Sequence, residues 1–181
     1  MLSNSSPEHA GGTVVVRDLA KTHLPFIGLP WIAGAYTPAE SHSPEMKEAL
    51  ELSNEFIAEL MASDHIVIGT PMYNFSVPAN LKAYIDHIVR AGVTFTMSTG
   101  GLVNGKKATV ILASGGVYTP GAEAESYNAA SGYLRQILGF IGISDLTILL
   151  AGGTGAVDMG QASLPDFVAE FEPAVTTAAQ A

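Results

Sequence analysis

Short runs of β-branched and aliphatic residues alternate along this chain with segments whose apolar residues recur every three or four positions. That alternation predicts a parallel α/β sheet. "TVVV" (13–16) reads as a strand, followed by a Pro- and Gly-rich loop from His23 to Ser43. Ser43-Pro44-Glu45 then predicts a helix start: a serine cap, a proline in the first turn and an acid at the positive end of the dipole. Met46, Ala49, Leu50, Phe56, Ile57 and Leu60 continue it at helical spacing. "HIVIGT" (65–70) is apolar without alternation, as a buried central strand should be. A helix from about Pro78 to Ala91 follows, with Leu81, Ile85, Ile88 and Val89 on one face and Gly92 as its stop. "ATVILA" (108–113) and "LTILLA" (146–151) predict two more strands, separated by a helix carrying Tyr133, Leu134, Ile137 and Leu138. The last amphipathic helix holds Phe167, Val168 and Phe171 and is expected to break near Pro173. With no internal repeat and no linker, the reading is a single doubly wound domain over 1–181, irregular in 1–12.

Ligands of such sheets sit outside the carboxyl ends of the strands. That rule selects the loops 70–78, 113–124 and 151–163. The first is odd, because Met72, Tyr73 and Phe75 occupy a place where small polar residues serve well. Pro71 and Pro78 stiffen this loop, and Asn74 offers both a donor and an acceptor. In the second loop Gly115 and Gly116 let a backbone approach a planar ring closely. Two such loops at adjacent strand ends could grip the edge of a heteroaromatic cofactor. On composition alone, Met72 and Phe75 fit a core role equally well.

Composition narrows the function classes. The formal net charge is -9 with only eight Lys and Arg, so neither nucleic acid nor an anionic membrane is expected as a partner. There is no cysteine, which removes disulfides, thiolate metal sites and thiol nucleophiles. The five histidines lack metal-ligand spacing, and no metal is expected. "GGLVNGKK" (100–107) misses the phosphate-loop pattern, since Lys107 stands where a hydroxyl is needed and the segment leads into a strand. "AGGTGAVDMG" (151–160) has Asp158 at the third glycine of a dinucleotide fingerprint and does not open the first βα unit. No G-x-S-x-G elbow marks Ser114 as a nucleophile. The polar amino terminus and the lack of a long apolar run lead to the expectation of a soluble cytoplasmic protein.

"PMYNFSVPANLKAYIDHIVRAGVTF" (71–95), then "GLVNGKKATVILASGG" (101–116) and "LGFIGISD" (138–145), closely resemble in this order the signature of the FMN-dependent NADH-azoreductase family. "VRDLA" (16–20) and the helix 49–64 fit the same pattern. The resemblance implies a flavodoxin-like fold and a homodimer with active sites at the subunit interface. It implies FMN lined by Pro71, Met72, Tyr73, Asn74 and Phe75 and by Ala113, Ser114, Gly115 and Gly116. Phe95, Tyr118 and Phe140 match positions around the substrate face. Ser114 replaces a common Arg, and Met97 a common aromatic residue. The implied activity is transfer of hydride from NADH through FMN to a quinone or azo acceptor by a ping-pong sequence, with no protein nucleophile.

The family begins with a strand, a Ser-rich loop and a helix amino terminus that hold the FMN phosphate. Only about a dozen residues precede "TVVV" here, and "SNSS" (3–6) among them has no strand before it and no helix after it. The expectation is therefore that the first βα unit is missing and that "TVVV" either pairs directly with "HIVIGT" or has lost its neighbour. A non-catalytic flavodoxin-like dimer with weak FMN binding is the alternative reading.

Overall fold

The computed structural model describes residues 12–180. At the centre of its sheet is β4 (Lys107–Ser114), flanked in parallel by β1 (His65–Pro71) and β5 (Asp145–Gly152). Ile66, Ala108 and Leu146 are in register, as are Thr70, Leu112 and Leu150, so the three strands end together. Ala108, Val110 and Leu112 form a buried cluster with Phe56, Ile57 and Leu60 of α2 (Pro44–Ala62), Leu81, Ile85 and Ile88 of α3 (Ala79–Ile88), and Leu134 and Leu138 of α4 (Ala129–Phe140). Thr109, on the other face of β4, is buried too, which explains the lack of alternation in this strand. A short helix α5 (Gly155–Asp158) follows β5, and α6 (Leu164–Gln180) packs back onto that strand.

The start of α2 is built as the sequence predicts. Ser43 Oγ accepts from the Met46 N–H at 3.3 Å, with Pro44 opening the first turn. At its other end, Lys106 Nζ donates to the carbonyls of Met61 (2.8 Å) and Ser63 (2.6 Å), which satisfies groups a helix terminus leaves open. Arg17 pairs with Glu55 and Glu59 of α2 and lies 5.2 Å from the Phe56 ring centroid. Those contacts hold the arginine above its ordinary pKa, and burial pushes the nearby Tyr84 phenol up to about 12.

Five expectations are corrected. "HIVIGT" forms β1, yet not as a buried central strand: among the described residues it lies at the sheet edge, its burial alternates and Val67 is 63% exposed, because no second strand covers that side. Residues 13–16 form no strand; Val14, Val15 and Val16 are exposed and do not pair with β1, whose only partner among the described residues is β4. β-Branched residues favour a strand only where a ladder partner exists. The segment 23–43 is not all loop: Leu29–Tyr36 forms helix α1, opened by Pro30 and anchored by the buried Trp31. Gly34 lets this helix close on α2, since a Cβ there would stand 2.8 Å from Leu50 Cδ1. Pro173 lies inside a continuous α6 and does not break it. Finally, α3 ends at Ile88, and Gly92 (φ +76°) instead serves the tight turn in which its N–H donates to Phe95 O at 2.8 Å.

The parallel connections set the two ends of the molecule. Segments 72–78, 115–128 and 153–163 lie at the carboxyl ends of β1, β4 and β5. A hairpin of β2 (Phe95–Thr96) and β3 (Gly100–Gly101) lies at the opposite end, where the Val103 N–H donates to Ile141 O at 2.8 Å.

Candidate functional site

The loop after β1 is a tight turn tied to its neighbour. Met72 N–H donates to Ala113 O at 2.7 Å, which joins the two loops that the sequence selects. Tyr73 and Ser76 exchange N–H to carbonyl bonds of 2.9 and 3.0 Å across Asn74 and Phe75. Both central residues are left-handed, Asn74 at φ 48° and Phe75 at φ 68°. Asn tolerates this region, but a bulky Phe there is strained by roughly 1–3 kcal/mol. The surroundings hold it in place. Phe75 O accepts from both Ala129 and Ala130 N–H, at the start of α4, at 3.1 Å each. The ring stacks on Tyr127 at 5.2 Å and meets Tyr118 edge-on at 6.1 Å.

The second loop is held from below by the third. Ser114 is buried; its Oγ donates to Gly116 O at 2.9 Å. Gly153 N–H donates to Ser114 O and Gly116 O, Thr154 N–H to Ser114 O, and Gly155 N–H to Gly115 O. A Cβ on Gly152 or Gly155 would stand 3.0 Å from the Gly116 or Gly115 carbonyl oxygen, a tight contact that glycine avoids. The Gly-rich stretch 151–155 thus supports the loop Ala113–Gly116, a specific role for what the sequence presents only as a flexible loop.

Pro71, Met72, Tyr73, Asn74, Phe75, Ala113, Ser114, Gly115, Gly116 and Tyr118 all lie at this one end of the sheet. Phe95 and Phe140 do not. They touch each other at a centroid distance of 4.6 Å, but at the opposite end, where α4 finishes and the hairpin packs. Since α4 starts against Phe75 and rises about 1.5 Å per residue, Phe140 lies about 16 Å along the axis from the loop. Tyr127, which no motif singles out, joins the site because the turn Glu125–Tyr127 precedes α4; an aromatic residue just before a helix cap was the available signal.

The geometry accommodates a flat heteroaromatic ring. Among the described residues, the backbone N–H groups of Asn74, Phe75, Gly115 and Gly116 have no acceptor, a donor set matching the polar edge of such a ring. A Cβ built on Gly115 meets nothing within 4 Å, so that backbone is open to close approach. Tyr73 and Phe75 are half or more exposed or nearly so, at 61% and 45%, and Met72 is partly buried against the core. The Ser-rich stretch 3–6 lies outside the described residues. Among the described residues no group of His, Cys, Asp and Glu could hold a metal ion, and no helix is long and apolar enough to cross a membrane.

A family model described as "Flavodoxin-like fold" matches residues 4–174, and the fold is the flavodoxin-like parallel sheet with helices on both faces. The chain is 51% identical over 172 residues to FMN-dependent NADH:quinone oxidoreductase 2 of Jannaschia sp. (strain CCS1), a match covering 95% of this chain and 84% of that protein. It is 50% identical to FMN-dependent NADH:quinone oxidoreductase 8 of Burkholderia lata, covering 95% of this chain and 82% of the relative. Among solved structures, azoreductase AzrA superposes with a TM-score of 0.84 at 28% identity, over 97% of this chain and 86% of AzrA. An FMN-dependent NADH-azoreductase from Bacillus anthracis str. Ames Ancestor, solved in complex with FMN, gives 0.74 at 28% identity, over 89% and 79% of the two chains.

Proposed function

The chain belongs to the flavodoxin-like family of FMN-dependent NADH:quinone oxidoreductases and azoreductases, and from that membership we propose that it binds FMN and reduces quinones and azo compounds at the expense of NADH. The observation that carries this is the pair of joined loops, with free backbone donors on both and aromatic side chains beside them. FMN, when bound, supplies the hydride chemistry. The chain's own residues bind and orient. The N–H groups of Asn74, Phe75, Gly115 and Gly116 would hold the polar edge of the ring and Met72 and Tyr73 would cover its apolar body, while Ser114 keeps the second loop in shape by donating to Gly116 O. NADH and the acceptor occupy the same open face in turn, beside Tyr118. Nothing in this sequence of events asks for a protein nucleophile.

The protein is a homodimer in this reading. Leu29, Ile32 and Tyr36 fall on one face of α1 and are exposed, with Phe26 (82%) just before them. These residues, and separately the half-exposed Phe140, give a second copy apolar surface to cover. The partner would bring its Phe95–Phe140 pair to the flavin end of the first subunit. A cytoplasmic location, where NADH is supplied, belongs to the same reading.

Titration of FMN into the protein, followed by flavin fluorescence and by NADH consumption with a naphthoquinone, tests the proposal. Saturable binding and quinone-dependent NADH oxidation are expected; absence of both overturns it in favour of a non-catalytic flavodoxin-like protein. Asn74→Ala removes a side chain suited to the left-handed turn and to the ring edge. Flavin affinity or turnover is expected to fall about two- to tenfold, the effect of one hydrogen bond. Unchanged affinity and turnover would show that the turn does not touch the flavin.

A further inference from the structure

We propose that Tyr127 is a positioning residue that holds Phe75 in the left-handed geometry on which the flavin loop depends. Two observations meet at this residue. Phe75 adopts φ 68°, a conformation that a bulky side chain leaves unless its neighbours prevent it. Its ring lies stacked on Tyr127, with planes 30° apart and centroids 5.2 Å apart, a closer and more parallel contact than the edge-on one with Tyr118.

The stack is not core packing. Tyr127 is 58% exposed and Phe75 45% exposed, and neither belongs to the buried cluster. What the contact fixes is a direction. Tyr127 ends a 3-10 turn whose N–H groups are spent internally, Tyr127 to Ala124 O at 3.1 Å and Asn128 to Glu125 O at 3.0 Å. Asn128 then caps α4 through Ser131 N–H at 3.0 Å, and its Nδ2 donates to Tyr118 O at 3.4 Å. The next two residues, Ala129 and Ala130, donate to Phe75 O. The segment 125–130 therefore grips Phe75 twice, at its carbonyl and at its ring. The paired Tyr73–Ser76 bonds favour the left-handed turn, but a two-residue turn with a bulky Phe in it is strained and opens readily. The ring grip opposes that opening, and with it any turning of the Asn74 and Phe75 N–H groups away from the bound ring.

This inference rests on the proposed flavin site, so the test reads the loop with and without flavin. Tyr127→Ala and Tyr127→Phe are compared with the unmodified chain in two measurements. One is the rate of chymotryptic cleavage after Phe75 in flavin-free protein, mapped by mass spectrometry. The other is the dissociation constant for FMN. Tyr127→Ala is expected to speed cleavage and to weaken FMN binding, each by about three- to tenfold, the worth of one aromatic pair. Tyr127→Phe, which keeps the stack, is expected to stay within about twofold of the unmodified chain in both. Cleavage at an unchanged rate in the alanine variant overturns the proposal, even if FMN binding falls, because Tyr127 would then touch the flavin instead of the loop. A phenylalanine variant that behaves like the alanine variant overturns it as well. Faster cleavage in the alanine variant with no FMN binding by any of the three proteins leaves the clamp standing and overturns the flavin reading.

Discussion

At the scale of single residues, the decisive features are positions where the backbone does something that few side chains permit. "MYNF" is unusual enough in composition to mark a ligand loop, and Asn74 is the residue type a left-handed turn prefers. That Phe75 also takes a positive φ is not legible in the sequence, because it follows from the grip of α4 and Tyr127, which lie more than fifty residues on. Gly101 is a sharper case. In the sequence it belongs to a failed phosphate-loop pattern and opens the family-like segment 101–116, neither of which gives it a packing role. In the fold, a Cβ on Gly101 would stand 2.2 Å from Gly142 N and from Ile141 C. These are backbone atoms, so the clash is not relieved by rotating a side chain. Gly101→Ala is expected to destabilise the protein by about 3 kcal/mol, the upper range for overpacking, and to lower the melting temperature by roughly 6–12 °C. Gly101 also pairs with Phe95 in the hairpin, so the displacement would part Phe95 from Phe140. A variant that melts with the unmodified chain in thermal denaturation would refute the close approach.

At the scale of elements, periodicity located what packing completes. The helices α2, α3 and α4 and the strands β4 and β5 stand where their apolar patterns predict, because each packs the face that carries the pattern; β1 stands in its place too, but at the sheet edge, where its unbroken apolar run leaves Val67 exposed. The failures come from elements whose structure is decided by neighbours. "TVVV" has strand composition but no ladder partner, and α1 has weak local signals but a buried Trp31 and a close contact through Gly34. α6 fails in the other direction. Pro173 has no N–H to donate and its ring crowds the carbonyl of Ala169, yet the helix continues from Leu164 to Gln180. The half-buried Phe167, Phe171 and Val175 and the buried Ala178, where α6 meets β5, offset part of the local cost. That cost should then be recoverable. Pro173→Ala restores the missing donor at an exposed position and is expected to stabilise the protein by about 1–3 kcal/mol. Thermal or denaturant unfolding measures it, and a lower melting temperature would mean that the proline ring itself contributes to packing.

At the scale of the whole molecule, one subunit cannot assemble every residue that the sequence pattern nominates. The flavin loops and Tyr118 stand at the carboxyl ends of the strands, while Phe95 and Phe140 stand beyond the far end of α4. No local motion closes about 16 Å between two ends of a packed helix. If Phe140 serves the reaction, it serves the site of a second copy. Two variants separate the cases. Asn74→Ala damages the flavin end, and Phe140→Ala damages the far end. In a mixed dimer whose sites are shared, one site collects both substitutions and the other collects none. Random mixing of equal amounts makes half the dimers mixed, so about a quarter of all sites are intact, and activity should rise above that of either variant alone. If each site lies within one chain, every site in the mixture carries one defect and activity stays at the mean of the two. Refolding the variants together and measuring NADH-dependent quinone reduction distinguishes the two outcomes. Recovery would also require the dimer itself, since a monomer offers no route by which one chain could repair another.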